Sequence, residues 1–315
     1  MKVIGVIVTY QPEKTLLKSL VKSLSHQVKA IIIVDNNSYE KIETAEFEVQ
    51  LGVSITLLNL DCNKGVGFAQ NIGISKAREQ GVDAVVLFDQ DSLPAPDMVS
   101  KLATKFLSYG DNKVAAVGPA IIDSQSLKNK RFIAAHSRFT GFWKAREINS
   151  EEEVEVPYLI ASGSLIPIAV LKEIGVMKEG YFIDRIDTEW CFRARASGYK
   201  LVGVPSAKLY HSLGESAPMK GFQKHNPIPW HQPFRHYYVF RNTILMLKQT
   251  EMPLIWKLHA VWRLIQVGSL NLLFSQQRAK RLKFIWFGII HGLSNVTGKL
   301  NPSGFICEPI DRVKW

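Results

Sequence analysis

The first 120 residues alternate between two hydrophobic periods. Val3–Val8, Ile31–Val34, Ser54–Leu58, Val85–Phe88 and Val114–Val117 are short aliphatic runs bounded by polar or turn-forming residues. Runs of that length and composition predict strands buried on both faces, as in a parallel sheet. Between them lie longer stretches of helical period. Glu13–Gln27 carries Leu16, Leu17, Leu20, Val21 and Leu24 on one face and Lys14, Lys18 and Lys22 on another, the pattern of a surface helix. Gly67–Gln80 predicts a second helix and Pro96–Tyr109 a third, with proline pre-set for its first turn. Strand and helix in turn imply βαβ units. The fold class expected is α/β, a mainly parallel sheet flanked by helices.

Past residue 120 the pattern loosens. Asp123–Glu155 is polar and irregular, with an acidic run at Glu151-Glu152-Glu153. Tyr158–Pro167 reads as a strand pair around Ser162-Gly163-Ser164, Thr188–Ser197 as a helix and Lys200–Val204 as a strand. Leu213–Pro233 holds Pro218, Pro227, Pro229 and Pro233, which predicts a mobile loop. Helical stretches then cover Arg235–Gln249, Pro253–Phe274 and Gln276–Val296.

Charge changes the picture in that last third. The net charge is +11, and Lys220–Leu300 alone holds 12 Lys/Arg against one acid, Glu251, leaving 27 of each sign elsewhere. Trp230, Trp256, Trp262 and Trp286 fall in the same stretch. Basic residues interleaved with aromatics fit a surface meeting anionic lipid headgroups, and equally nucleic acid; a solvated face is the plain alternative. No nucleic-acid module is recognisable. No window offers roughly 18 uninterrupted apolar residues, so a spanning helix is not expected. Met1–Val8 is short, lacks a cleavage site and breaks at Pro12, so it reads as a strand and not a signal peptide. Cys62, Cys191 and Cys307 are odd in number and far apart, the usage of a reducing compartment.

Several strand ends carry chemistry. Val85–Phe88 stops at Asp89-Gln90-Asp91-Ser92, just past the carboxyl end of a strand, where open α/β sheets bind ligands. In an extended chain Asp89 and Asp91 share a side. Two hard oxygen ligands there suit Mg²⁺ or Mn²⁺; a solvated acidic turn is the alternative. Thr9-Tyr10 ends the first strand and Asp35-Asn36 the second. The turn Asn63-Lys64-Gly65-Val66-Gly67, followed by Asn71, opens a helix. Its backbone N–H groups could approach phosphate or sugar, or it could simply cap the helix. It does not follow the first strand, and it lacks the third glycine of a dinucleotide fingerprint, which argues against a nicotinamide-dependent oxidoreductase. Asp187 lies at the expected N-cap of a helix and Glu189 in its first turn; capping accounts for both, and a general base accounts for Asp187 equally. His211 is a structural histidine or, with two aspartates, a metal ligand.

Together these residues resemble glycosyltransferase family 2, and within it the rhamnosyltransferases. Val8-Thr9-Tyr10, Ile33-Val34-Asp35-Asn36, Asn63–Gly67 with Asn71, Asp89–Ser92, Ser162-Gly163, Asp187-Thr188-Glu189-Trp190 with Arg193, and His211 occur in that family's order. Arg235-His236-Tyr237-Tyr238 with Arg241-Asn242 also resembles the subgroup. The resemblance implies a GT-A fold with residues 1–233 catalytic, 1–120 holding the donor and 121–233 the acceptor, and 234–315 a helical extension. It implies donor contacts from Thr9, Tyr10, Asp35, Asn36, Asn63, Gly65, Gly67, Asn71, Asp89 and Gln90, with Thr9 and Asp35 on the base and ribose. It implies a divalent cation on Asp89, Asp91 and His211, with Asp91 the direct ligand. Asp187 would be the base, and Ser162, Gly163, Glu189, Trp190 and Arg193 would line the acceptor. Many members have Glu-Asp where this chain has Ile186-Asp187, so the preceding acid is missing. The function expected is inverting transfer of L-rhamnose from dTDP-L-rhamnose to a lipid-linked polysaccharide precursor such as O-antigen, at the cytoplasmic face of the membrane. Another UDP- or dTDP-sugar donor is the nearest alternative, and a basic nucleic-acid-binding protein the more distant one.

Overall fold

Parallel pairing begins where the aliphatic runs lie. This computed structural model describes residues 1–43, 52–123, 131–134, 144–147, 153–211, 232–275, 277–301, 303, 306–308 and 313. The chain opens with β1 (Val3–Thr9), α1 (Lys14–Ser25), β2 (Ala30–Asp35), β3 (Ser54–Asn59) and α2 (Val66–Glu79). Next come β4 (Ala84–Asp89), the short β5 (Ser92–Pro94), α3 (Met98–Ser108), β6 (Val114–Asp123), β7 (Arg131–Ala134) and β8 (Lys144–Glu147). Then follow β9 (Val154–Glu155), β10 (Leu165–Pro167) and α4 (Ile168–Ile174). A 3-10 turn at Glu179–Tyr181 leads to α5 (Ile186–Ala196) and β11 (Lys200–His211). The chain closes with α6 (Pro233–Gln249), α7 (Leu254–Phe274), α8 (Arg278–Leu293), β12 (Lys299–Asn301) and β13 (Ile306–Glu308).

The main sheet runs β3-β2-β1-β4-β10-β6-β11-β5. β1 to β4 are parallel, β10 runs antiparallel between β4 and β6, and β11 is parallel to β6. The register sets Thr9 opposite Asp35 and Val8 opposite Asp89. Three polar strand ends therefore share one rim. Period two governs the burial: Ile4, Val6 and Val8 face one layer with α2, α4 and α5, while Val3 and Ile7 face the other with α1 and α3. Each side chain is enclosed because both faces of the sheet are covered.

Three expectations change. Val114–Val117 and Lys200–Val204 are the starts of longer strands that pair onward to Asp123 and His211, across a register shift between Val204 and Lys208. Gly118-Pro119 in β6 and Pro205-Ser206 in β11 interrupt the aliphatic runs, which therefore underestimate both strands. Of Tyr158–Pro167 only Leu165–Pro167 is a strand. Gly163 has φ +83°, donates its amide to Leu87 O at 2.7 Å, and a Cβ there would lie 2.6 Å from Pro119 Cγ. This is a tight turn and not a strand pair. Asp187 is no N-cap either: α5 begins at Ile186 with Arg185 as its cap. Most of the expected loop Leu213–Pro233, Trp230, and residues 124–130, 135–143 and 148–152 lie outside the described residues.

Candidate active site

On the rim, Asp35 is fully buried and its carboxylate accepts three hydrogen bonds. Thr9 Oγ1 donates to Oδ1 at 2.9 Å, Ser38 Oγ to the same oxygen at 2.6 Å, and Ser38 N to Oδ2 at 2.9 Å. A buried carboxylate needs such donors, and here they fold the loop after β2 over the tip of β1. Asn36 extends the arrangement: its Nδ2 donates to Asn63 Oδ1 at 3.0 Å and its Oδ1 accepts Lys64 N at 2.9 Å.

The glycine turn meets protein. Gly65 has φ +89°, and a Cβ there would fall 2.5 Å from Phe182 O. Gly65 N donates to Asn63 Oδ1 at 3.0 Å and Val66 N to Phe182 O at 2.7 Å. A Cβ on Gly67 would lie 3.1 Å from Lys178 O. The glycines let the 178–182 segment approach, and two of the amides expected to face a ligand already have acceptors. Asn71, expected at the donor, is fully buried: it donates to Met177 O at 3.0 Å and Glu179 Oε1 at 2.7 Å, and accepts Met177 N at 3.0 Å. Its role is to fix that same segment.

Asp89 ends β4, Gln90 and Asp91 form a turn, and Ser92 begins β5. The chain is thus bent between the two aspartates, which corrects the expectation of a shared extended side. Gln90 pairs with the main chain of Tyr10, accepting its N–H at 2.7 Å and donating to its carbonyl at 3.2 Å. From the other side Ser162 Oγ accepts Asp89 N at 3.2 Å and lies 2.6 Å from Ser92 Oγ. His211 pairs in register with Ser92, one residue from Asp91. Among the described residues no group of three or more His, Cys, Asp or Glu side chains forms a metal cage by itself. Two hard carboxylates on a braced turn nevertheless fit a divalent cation that draws its other oxygens from a phosphate ligand and water.

The segment before α5 is strained. Phe182, Asp184 and Arg185 have φ of 65°, 66° and 69°. Phe182, at ψ −60°, centres a γ-turn closed by Ile183 N to Tyr181 O at 2.8 Å, a rare geometry. Such residues cost about 1–3 kcal/mol each and persist where surroundings over-determine them. Here α6 does so. Arg235 grips Asp184 with Nε to Oδ2 at 3.2 Å and Nη2 to Oδ1 at 2.5 Å. Asn242 Nδ2 is shared among the carbonyls of Tyr181, Ile183 and Asp184 at 2.8–2.9 Å. Buried Arg241 reaches Gly180 O at 3.1 Å, Tyr181 O at 2.9 Å and Gly298 O at 2.6 Å. In the sequence these residues carry no role beyond the subgroup resemblance; their signal is the Arg241-Asn242 pair on a helix otherwise rich in aromatics.

Asp187 follows directly. Its Oδ1 accepts Thr188 N at 2.6 Å and Thr188 Oγ1 at 3.2 Å. Burial pushes its proton affinity above the ordinary carboxylate range, opposed by the Thr188 bonds, the Arg185 charge and a bond from the Ala161 backbone. It borders a small, mostly apolar cavity with Leu87, Ala161, Ser164 and Cys191. Arg185 donates to Thr243 Oγ1 at 3.2 Å, and burial together with repulsion from Arg263 and Arg185 lowers His259. Burial pushes the nearby Tyr158 phenol up to about 12, so it stays a neutral hydroxyl.

Three residues expected at the acceptor are framework instead. Glu189 is buried and paired with Arg193, Nε to Oε1 at 3.1 Å and Nη2 to Oε2 at 3.0 Å. Arg193 also donates to Ile174 O at 2.6 Å and Val176 O at 2.8 Å, and Trp190 Nε1 to Gly175 O at 2.9 Å. Their spacing along α5 turns them inward, toward the loop after α4. Ser162 and Gly163 do lie beside the acidic turn.

The family model of Glycosyl transferase family 2 matches residues 6–175. A dTDP-rhamnosyl transferase of Shigella flexneri, RfbF, is 30% identical over 300 residues, covering 93% of this chain and 96% of that protein. Among solved structures, TarS of S. aureus superposes with a TM-score of 0.55 at 14% identity, over 93% of this chain and 81% of that one. GalNAc-T7 with UDP, GalNAc and Mn²⁺ gives a TM-score of 0.59 at 14% identity, over 94% and 57%. The architecture is the GT-A fold, with a helical C-terminal part.

Proposed function

The chain belongs to glycosyl transferase family 2, and from that premise we propose that it transfers L-rhamnose from dTDP-L-rhamnose to a hydroxyl of a lipid-linked cell-surface polysaccharide precursor such as O-antigen. The observation that carries this reading is the adjacency of base and acidic turn: Asp187 and Ala161 line the same small cavity, and the next residue, Ser162, accepts the Asp89 amide. Residues 1–120 would hold the donor, 121–233 the acceptor, and 234–315 would buttress the segment leading to Asp187.

Asp187, with its raised proton affinity, takes the proton of the acceptor hydroxyl. The freed oxygen attacks the anomeric carbon as the bond from that carbon to the diphosphate oxygen breaks, and displacement from the opposite face inverts the centre. Asp89 and Asp91, with His211, would hold Mg²⁺ or Mn²⁺, which supplies Lewis-acid stabilisation of the departing diphosphate. Thr9, Asp35 and the Gln90–Tyr10 pair keep the donor rim in shape. A lipid-linked acceptor sets this chemistry at the inner face of the cell membrane, with the enzyme peripheral.

The test is transfer from a panel of nucleotide sugars, with Asp187→Asn as control. Turnover of dTDP-L-rhamnose alone supports the donor. A preference for a UDP-hexose keeps the mechanism and replaces the donor, a second reading favoured by the likeness to GalNAc-T7 with UDP.

A further inference from the structure

Helix α7 is 21 residues long, about 30 Å, and shows one face to solvent. Leu254, Leu258, Val261, Trp262, Ile265 and Leu273 recur on that face at helical spacing, each between 44 and 70% exposed. No charged residue interrupts the stripe. The opposite side, with Trp256 and Leu264, is buried against Phe192 and Phe240. Helix α8 packs beside it and repeats the pattern with Leu282, Trp286, Ile290 and Leu293, between 37 and 60% exposed. Single exposed apolar residues are ordinary, but a stripe of them on each of two neighbouring helices is not.

The charge beside this face selects its occupant. Arg278, Lys280 and Lys283 are all exposed at the start of α8, whose first turn carries no acid. Arg278 and Lys280, in the first turn, oppose the helix dipole, which favours negative charge at that end. Their positive charge beside the apolar stripe is complementary to an anionic partner. A second copy of this chain would bring the same excess of positive charge against itself. Among the described residues no helix is long and apolar enough to cross a membrane, and the remaining geometry is a helix lying in the interface, with tryptophan at headgroup depth.

We propose that the exposed faces of α7 and α8 dock this enzyme on an anionic lipid bilayer, apolar side chains inserted and the α8 cations on the headgroup phosphates. The biological setting rests on the lipid-linked acceptor proposed above, while the physical contact is measured without any transfer reaction. Full-length protein is sedimented with vesicles of phosphatidylcholine alone or with added phosphatidylglycerol. Binding is expected only with the anionic lipid, weakened at least tenfold by high salt. The substitutions Leu258→Ser, Trp262→Ser and Trp286→Ser, combined, are expected to weaken it at least tenfold again without lowering Tm. Lys280→Glu with Lys283→Glu should do the same, and neither set should alter donor hydrolysis in solution. Absence of vesicle binding, or binding indifferent to the apolar set, overturns the proposal. So does a dimer in ultracentrifugation that the apolar set dissociates, which would assign the face to a second copy. Intact vesicle binding with no rhamnosyl transfer would leave the docking face standing and fail the catalytic reading instead.

Discussion

Arg235 holds Asp184 by two bonds, Nε to Oδ2 at 3.2 Å and Nη2 to Oδ1 at 2.5 Å, and with Asn242 it ties α6 to the strained segment that delivers Asp187. Removing Arg235 or the Asn242 amide leaves partners short of donors, a loss of about 1–3 kcal/mol. Arg235→Ala and Asn242→Ala are expected to lower kcat by about 10–100-fold with donor KM little changed, since small misplacements of a reacting group are costly. A purely structural contribution would lower Tm and leave the acid limb of the pH–rate profile in place. Here that limb should move down as Asp187 gains solvent.

Asp187→Asn should trade activity for stability. The folded carboxyl binds its proton more tightly than the unfolded one, whose ordinary value is about 3.9. The group therefore costs nothing below the unfolded value, and its penalty develops as pH rises through the raised folded value. The variant is expected to melt higher than wild type at pH 7, with the gap closing as the pH falls toward about 4. Its transfer rate should drop by about 10²–10⁴-fold. Paired melting curves across pH decide the first point; an unchanged gap would show that Asp187 is not desolvated.

Gly65→Ala tests the approach of the two halves of the sheet's rim. The residue sits at φ +89° with Phe182 O in the space of a Cβ. Backbone in this glycine-only region alone costs another residue about 1–3 kcal/mol, and the contact adds to it. A fall in denaturation midpoint is expected, together with lost activity, because Phe182 centres the γ-turn before Asp187. Gly81→Ala, also at positive φ but in open space, is the control: it should lower stability without changing turnover.

Asp91→Ala tests the acidic turn. With Mn²⁺ and the favoured nucleotide sugar, wild type should melt higher by mass action on the native state, and chelation should abolish the gain. The variant should show no gain with the cation, while its Tm without ligand stays near that of wild type. A ligand-induced shift that survives the substitution would remove Asp91 from the cation site.

The parallel sheet, its first three helices and its polar strand ends were legible from local pattern. Val3–Val8, Ile31–Val34 and Val85–Phe88 are all apolar because both faces of those strands are covered, and their ends must be polar where the rim meets solvent. Beyond Val117 the same rule misled, because β6 and β11 continue to pair past Gly118-Pro119 and past the register shift between Val204 and Lys208, which break the aliphatic runs. Composition also located the basic, aromatic C-terminal third, but could not tell which side of α7 was inside.

What the sequence determined by itself is the order of elements and the residue types at each strand end, since period and turn chemistry depend on neighbours along the chain. Tertiary structure decided which of those residues are internal. Asn71 meets Met177 and Asn242 meets Tyr181 across more than 60 positions, and Glu189 turns inward to Arg193 and to Thr250, just past the end of α6. The same holds for Asp187, whose proton affinity is raised by the packing around it and held back by Thr188 and Arg185. Periodicity reports that a face is covered; only the packed chain states what covers it.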